Sequence, residues 1–353
     1  MKLSDRLVSS SALIIAGVFA AGIGTLAMMD EASAAGTKKI CVSWRHFQEE
    51  RWRIDEAGIK SVLDPAGYTY VSADAQGDPQ KQLTDIESLI AGGCDAAIVL
   101  AQDSKAVLPA FDRLKAENIP TIAYDAPVDT ADATFISFDN VAVGRLQAEG
   151  MVKAIDHGNW VAIEGDSSHP IINVFRQGQM EVLQPLIDAG KIKIVAKQNI
   201  ENWKPDLAQA AMEQILTQQD NKVDAVLAMN DGTATGVAAA LASQGLLGIP
   251  LSGQDGDVTA LNRIAKGQQT VTVWKNAMAL GETAAKAAIE MAEGKAVEGE
   301  VKYKTESGKE QPAVLLTPVG ITRDNLDVVV KANWISKEKL CDGVTENPPA
   351  ACQ

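Results

Sequence analysis

At 353 residues the chain is longer than one ordinary hydrophobic core supports, and length alone predicts about two domains. Its 46% apolar and 22% charged residues are those of a globular protein. A net charge of −14 excludes a nucleic-acid partner, which would need the clustered Lys and Arg that this chain lacks.

The elements begin with a leader. Lys2 and Arg6 precede an apolar run from Ala12 to Met29, and Ala32-Ser33-Ala34 follows. That order of basic, apolar and small residues predicts a secretory signal peptide over 1–34, cut near Ala34, and an exported mature chain. No Cys stands at the cut to carry a lipid anchor. The rival reading, a membrane anchor, is weaker because the run is rich in Gly and Ala.

Past the leader, short β-branched runs alternate with longer helical stretches. "KKICVSW" leads into a helix through Ala66, "YTYVSA" into one from Pro79 to Gly92, and "DAAIVL" into one ending near Asn118. "IPTIAYDA", "TFISFD", "NWVAIEG", "KIKIVAKQ", "VDAVLAMND", "IPLSGQDG" and "QTVTVWK" continue the rhythm. The runs are short and almost wholly apolar, as strands buried on both faces are. Such alternation predicts α/β structure, with parallel sheets covered by helices. Ten or so units divide better into two lobes than into one wide sheet, and they exceed the eight of a (β/α) barrel.

Export makes the four cysteines candidates for disulfides. Cys341 and Cys352 bracket a polar tail, "CDGVTENPPAAC", and their pairing would fasten an end that otherwise frays. Cys41 and Cys94 either pair across neighbouring strands or stay as buried thiols.

In open α/β sheets, ligands bind beyond the carboxyl ends of the strands. The residues there form a consistent set: Arg51, Trp52, Asp125, Arg176, Trp203, Asn230, Asp255 and Lys275. Carboxylates, carboxamides and guanidinium forks hold vicinal hydroxyls, and an indole covers the C–H face of a sugar ring. Asp139, Asn140 and Asp231 suit helix N-caps better. No motif for a nucleophilic, metal-dependent or phosphate-binding enzyme is present. His46, His157 and His169 lack the spacing of metal ligands. Paired carboxylates such as Asp125 and Asp255 also occur in glycosidases, but Arg and Lys beside them favour ionised acceptors over a proton donor. No enzyme, cofactor or metal is expected.

The motifs "EERW", "YDA", "FISFDN", "FRQGQM", "NWKP", "NDGTATG", "SGQDGD", "RIAKGQQTVTVWK" and "LLTP" resemble those of the type I periplasmic binding proteins of sugar ABC importers, above all the xylose-binding branch. The resemblance runs from about Lys38 to Trp334. It implies two Rossmann-like lobes joined by a three-strand hinge: 36–137 with 273–314, and 138–272 with 315–353. It also implies a monosaccharide in the cleft, D-xylose or a relative such as D-glucose, and closure of a monomer that is handed to a membrane permease or a chemoreceptor. Arg51, Trp52 and Asp125 would serve from the first lobe, Arg176, Trp203, Asn230 and Asp255 from the second, and Lys275 from near a crossing. Two departures stand out. Ala126 replaces the branch's usual arginine, and His169-Pro170-Ile171 replaces an Asp/Asn-rich segment. Trp44, His46 and Phe47 are therefore further candidates for ligand contact, with His169. A sugar-responsive regulator would need a DNA-binding segment where the leader stands, and an exported carbohydrate enzyme would turn its sugar over.

Overall fold

The computed structural model describes residues 37–297 and 301–353. The predicted leader lies outside the described residues.

Five short strands open the chain: β1 (Lys39–Trp44), β2 (Thr69–Asp74), β3 (Ala96–Val99), β4 (Thr121–Tyr124) and β5 (Thr134–Phe138). Three of them, β3, β4 and β5, are buried along their whole length, which accounts for their uninterrupted apolar composition. All five pair in parallel, in the order β5-β4-β3-β1-β2. The helices between them are α1 (Arg51–Leu63), α2 (Pro79–Ala91) and α3 (Leu108–Ala116).

The chain then leaves this sheet through α4 (Asn140–Ala154) and builds a second, with β6 (Gly158–Glu164), β7 (Ile192–Asn199) and β8 (Ala225–Ala228) in the order β7-β6-β8. Here α5 (Ile171–Asp188), α6 (Pro205–Gln218), α7 (Asp231–Ser243) and α8 (Val258–Ala265) are the connections. A parallel bridge between Val226 and Leu251 extends the sheet towards β9 (Gln254–Asp255) and β10 (Thr272–Trp274). From β10 the chain returns to the first lobe as α9 (Ala277–Ala292), which packs on α1. An antiparallel hairpin, β11 (Val301–Lys304) and β12 (Glu310–Leu316), adds to the first sheet beside β5. Finally β13 (Val319–Ile321) pairs antiparallel with β10 in the second lobe. The two Rossmann-like lobes are thus linked by three passages of the chain, after β5, β10 and β12.

This topology fixes where a ligand can sit. β1 has β2 on one side and β3 on the other, so consecutive connections leave it in opposite directions. β6 stands in the same relation to β7 and β8. Crevices open at such switch points, outside the strand ends. The segments after β1, β3, β6 and β8 all lie there.

The α4–α5 pair shows how tightly the second lobe is held. A Cβ on Gly178 of α5 would be driven into the Val141 carbonyl oxygen of α4. Only glycine lets the two helix backbones approach this closely, and the approach sets the height of α5 above the sheet.

Cys341 pairs with Cys352, fastening the tail as expected. The pair left open, Cys41 and Cys94, is also a disulfide, with Cα atoms 5.8 Å apart, and it ties β1 to the start of β3.

Candidate functional site

A small cavity, nearly filled by its own lining side chains, lies between the strand ends of the two lobes. Its centre is Arg51, the first residue of α1, whose side chain is 2% exposed. Nη2 donates to Asp125 Oδ1 at 2.9 Å, Nη1 to Asp255 Oδ1 at 3.2 Å, and Nε to Asp55 Oδ2 at 3.3 Å. One guanidinium therefore joins a carboxylate of the first lobe to one of the second. Lys275, just after β10, adds a second cation 3.2 Å from Asp255 and 3.7 Å from Asp125.

The acids respond differently to burial. Burial pushes the Asp125 carboxyl up, but Arg51, Lys275 and Arg45 outweigh it and hold the group below its usual range. Asp55, one turn into α1 and fully buried, is raised to about 6 by burial, which its Arg51 and Tyr124 contacts offset only in part. Asp125 thus remains an ionised acceptor, while Asp55 works from beneath as an anchor for Arg51.

Backbone strain concentrates at the cavity. Asp125 (φ 56°), Asn202 (φ 50°), Trp203 (φ 57°) and Asp255 (φ 99°) all occupy the left-handed region. Asn and Asp tolerate it; a tryptophan there is a genuine outlier. At Trp203 the surroundings enforce it. The indole lies over Gly165, where any Cβ would enter its six-membered ring. Its Nε1 donates to His169 Nδ1 at 2.8 Å, and the two rings stack at 6.3 Å between centroids.

His169 is the junction of the two lobes at this wall. Because an indole N–H can only donate, His169 Nδ1 must be the bare nitrogen, and Nε2–H then donates to the Gln102 carbonyl after β3, 2.6 Å away. Arg45 Nη1 also approaches Nδ1, at 3.3 Å. Burial first, and the Arg45 charge second, lower the imidazole to about 4, so the ring is neutral at neutral pH. Asp166 supports the arrangement by accepting from Ser168 N at 2.8 Å and Asn202 N at 2.6 Å, which pins the two C-lobe loops together.

Beneath Asp255, Asp231 collects Gly256 N (2.9 Å), Asp257 N (3.0 Å), Thr272 Oγ1 (2.7 Å) and Gln269 Nε2 (2.9 Å). It is a scaffold for the "GQDGD" loop, while its neighbour Asn230 caps α7. Asn230 Oδ1 accepts from Thr233 N at 2.9 Å and from Thr233 Oγ1 at 2.8 Å, and the residue lines the cavity.

Of the residues singled out in the sequence, Arg51, Trp52, Asp125, His169, Trp203, Asn230, Asp255 and Lys275 line the cavity. Trp52 does so with its Nε1 committed to Glu49 Oε2 at 2.6 Å and with the Arg51 guanidinium 4.3 Å from its ring centroid. Arg176 is placed elsewhere. It forks onto Glu164, with Nε–Oε1 at 2.8 Å and Nη2–Oε2 at 2.5 Å, while its helical neighbour Phe175 takes the cavity-facing position. Trp44 is wholly buried in the core and donates to the Tyr70 hydroxyl at 2.9 Å. His46 contacts Glu49 at 3.2 Å, and Phe47 packs under the Arg53 guanidinium. None of these three lines the cavity. Arg45, Glu49 and Gln254 do, and sequence reasoning passed over them. Arg45 and Glu49 pair at 3.1 Å. Their four-residue spacing in the aromatic segment was the available signal.

Two α/β lobes with a cavity of hydrogen-bonding heads at their facing switch points define a solute-binding protein. The family described as periplasmic binding protein domain matches residues 40–296, and the chain belongs to that family. It is 35% identical over 319 residues to the D-xylose-binding periplasmic protein of Escherichia coli (strain K12), covering 90% of this chain and 96% of that one. It is 34% identical over 321 residues to the D-xylose-binding periplasmic protein of Haemophilus influenzae, covering 90% and 96%. The carbohydrate transporter solute binding protein of Chloroflexus aurantiacus, solved in complex with D-glucose, superposes with a TM-score of 0.78 at 25% identity, over 86% of this chain and 98% of that one. The protein is accordingly a binding protein and not an enzyme.

Proposed function

We propose that the protein is an exported receptor of a sugar ABC importer, and that it binds a neutral aldopyranose, D-xylose or D-glucose, in the interlobe cavity. The observation that carries this reading is the charge balance of the wall. Along the wall Arg45, Arg51 and Lys275 stand against Glu49, Asp125 and Asp255, each charge already facing an opposite one, around a neutral His169, with Asp55 buried behind Arg51. An anionic or cationic ligand would leave one of these groups uncompensated, at a cost that burial magnifies. A neutral polyhydroxylated ring fits, because each hydroxyl both donates and accepts. Phe175, Ile171 and the Trp203 indole supply the apolar surface for its C–H face.

The relatives named for D-xylose support a pentose. Ala126, a methyl in the wall where the xylose-binding branch usually carries an arginine, supports an altered ligand such as a hexose. A ligand touching Asp125 from one lobe and Asp255 and Asn230 from the other favours the closed form, because only that form offers both half-sites at once. The closed receptor is then the species a permease selects.

Calorimetry and thermal unfolding against xylose, glucose, other aldoses and polyols test this. A ligand at 100 times its Kd adds about 2.7 kcal/mol of stability and raises the Tm. If none of the sugars does so, the reading is overturned.

A further inference from the structure

We propose that Arg45 and Gln254, one from each lobe, contact the bound sugar directly and set which hydroxyl pattern is accepted. This rests on the sugar reading above and names the residues that would give it specificity.

Among the described residues, the buried polar side-chain atoms that lack a partner and belong to residues of the cavity wall are Arg45 Nε and Gln254 Oε1. Both residues are more than nine-tenths buried, Arg45 at 7% and Gln254 at 3% exposure. The rest of the Arg45 guanidinium is engaged, Nη1 with His169 Nδ1 and Nη2 with Glu49 Oε1, so its orientation is fixed while Nε–H stays free. Gln254 is held in β9, next to the strained Asp255. A buried polar group left unpaired is penalised by a factor of roughly 10–100 in an equilibrium. Such a penalty persists in a binding cavity when a ligand relieves it.

The two atoms are chemically complementary. Arg45 Nε can only donate and Gln254 Oε1 can only accept. They therefore require one ligand oxygen that accepts and one hydroxyl that donates, presented to opposite lobes. A sugar lacking either oxygen leaves the protein atom orphaned in the closed state, and that rejects deoxy analogues more sharply than a change of size would. Arg45 also supplies a guanidinium to the wall that Ala126 leaves apolar.

The test is calorimetry on wild type, Arg45→Lys and Gln254→Met, using the best-bound sugar and its monodeoxy derivatives. Arg45→Lys keeps the charge facing Glu49 but has no Nε–H; Gln254→Met keeps the length but has no acceptor. Each variant should bind the parent sugar roughly 10- to 100-fold more weakly. Each should also lose its discrimination against one monodeoxy derivative while still rejecting the others as wild type does. Binding of the parent sugar within twofold of wild type, or an equal loss for every derivative, overturns the assignment. If a variant does not fold, the wild-type series decides: a wild type that tolerates every monodeoxy sugar within a few-fold also overturns it. A wild type that binds no sugar removes the proposed function, and this assignment with it.

Discussion

His169 of the second lobe donates from Nε2 to the backbone carbonyl of Gln102 in the first, 2.6 Å away, while its Nδ1 accepts from Trp203. The Trp203 bond exists only for the neutral ring, because a proton on Nδ1 would displace the indole N–H and face Arg45, while Nε2–H keeps Gln102 in either form. The folded value, about 4, lies below the ordinary 6.5. The stability it contributes is therefore fully present above pH 6.5 and is lost as pH falls towards 4. Between pH 7 and 5 the expected loss is about 2 kcal/mol. In His169→Gln the amide oxygen can accept from Trp203 and its nitrogen can donate to Gln102, with nothing to titrate. Urea unfolding at the two pH values should show a flatter dependence in the variant. A variant as steep as wild type would sink the assignment. Asp55 and Asp231 change with pH in the opposite sense, each raised to about 6 by burial, but they do so in both proteins and cancel in the comparison.

Arg51 bonds to Asp55, Asp125 and Asp255 from one buried position. Arg51→Met leaves Asp55 with no cation and Asp125 and Asp255 with Lys275 alone, and should cost about 3–5 kcal/mol in denaturant unfolding, besides abolishing ligand binding. Arg51→Lys should rescue little, because one ammonium cannot match three separately aimed N–H groups. A Met variant within 1 kcal/mol of wild type would show that the hub is dispensable.

Much of the site could be read from the chain because the strands end where their apolar runs end. Asp125 and Lys275 directly follow β4 and β10, Asn230 stands two residues past β8, and Asp255 ends β9, so a strand boundary was enough to find them. Arg176 points away from the cavity for a helical reason. It sits in α5, where one residue turns the direction by about 100°, so Phe175 faces the cavity and Arg176 faces Glu164. Gln254 was missed because alternation along a strand sends neighbours to opposite faces. The φ of 99° at Asp255 breaks that alternation and lets both residues reach the cavity wall. Trp44, His46 and Phe47 drew notice as rings at a strand end, yet the segment from Arg45 to Glu50 curls before α1 begins. That turn carries Arg45 and Glu49 to the cavity and leaves the rings in the core or over Arg53. Loop conformation of this kind has no periodicity to read.

Gly165 is the floor on which Trp203 lies. Gly165→Ala places a methyl inside the space of the indole, and either the ring or the strained backbone at Asn202 and Trp203 must move. Overpacking of this kind typically costs 1–3 kcal/mol. The larger effect should be on ligand affinity, a loss of about tenfold or more, since the displaced indole also releases His169. Tryptophan fluorescence and calorimetry on the variant check both, and unchanged affinity would mean that the ring is not part of the working wall.

The two disulfides should contribute unequally. Cys41 and Cys94 are 53 residues apart and Cys341 and Cys352 are 11 apart, so the first closes much the longer loop of the unfolded chain. On loop-closure entropy alone they stabilise by about 4 and about 3 kcal/mol respectively. The native surroundings widen the gap. The first bridge ties two central strands of the first sheet near their amino ends, whereas the second fastens a terminal segment. Replacing Cys41 and Cys94 with Ala should therefore lower the Tm by the larger amount. Replacing Cys341 and Cys352 should lower the Tm less and leave affinity near wild type. Thermal unfolding with calorimetry on the two double variants separates the cases, and the reverse order of Tm values would refute the loop-length argument.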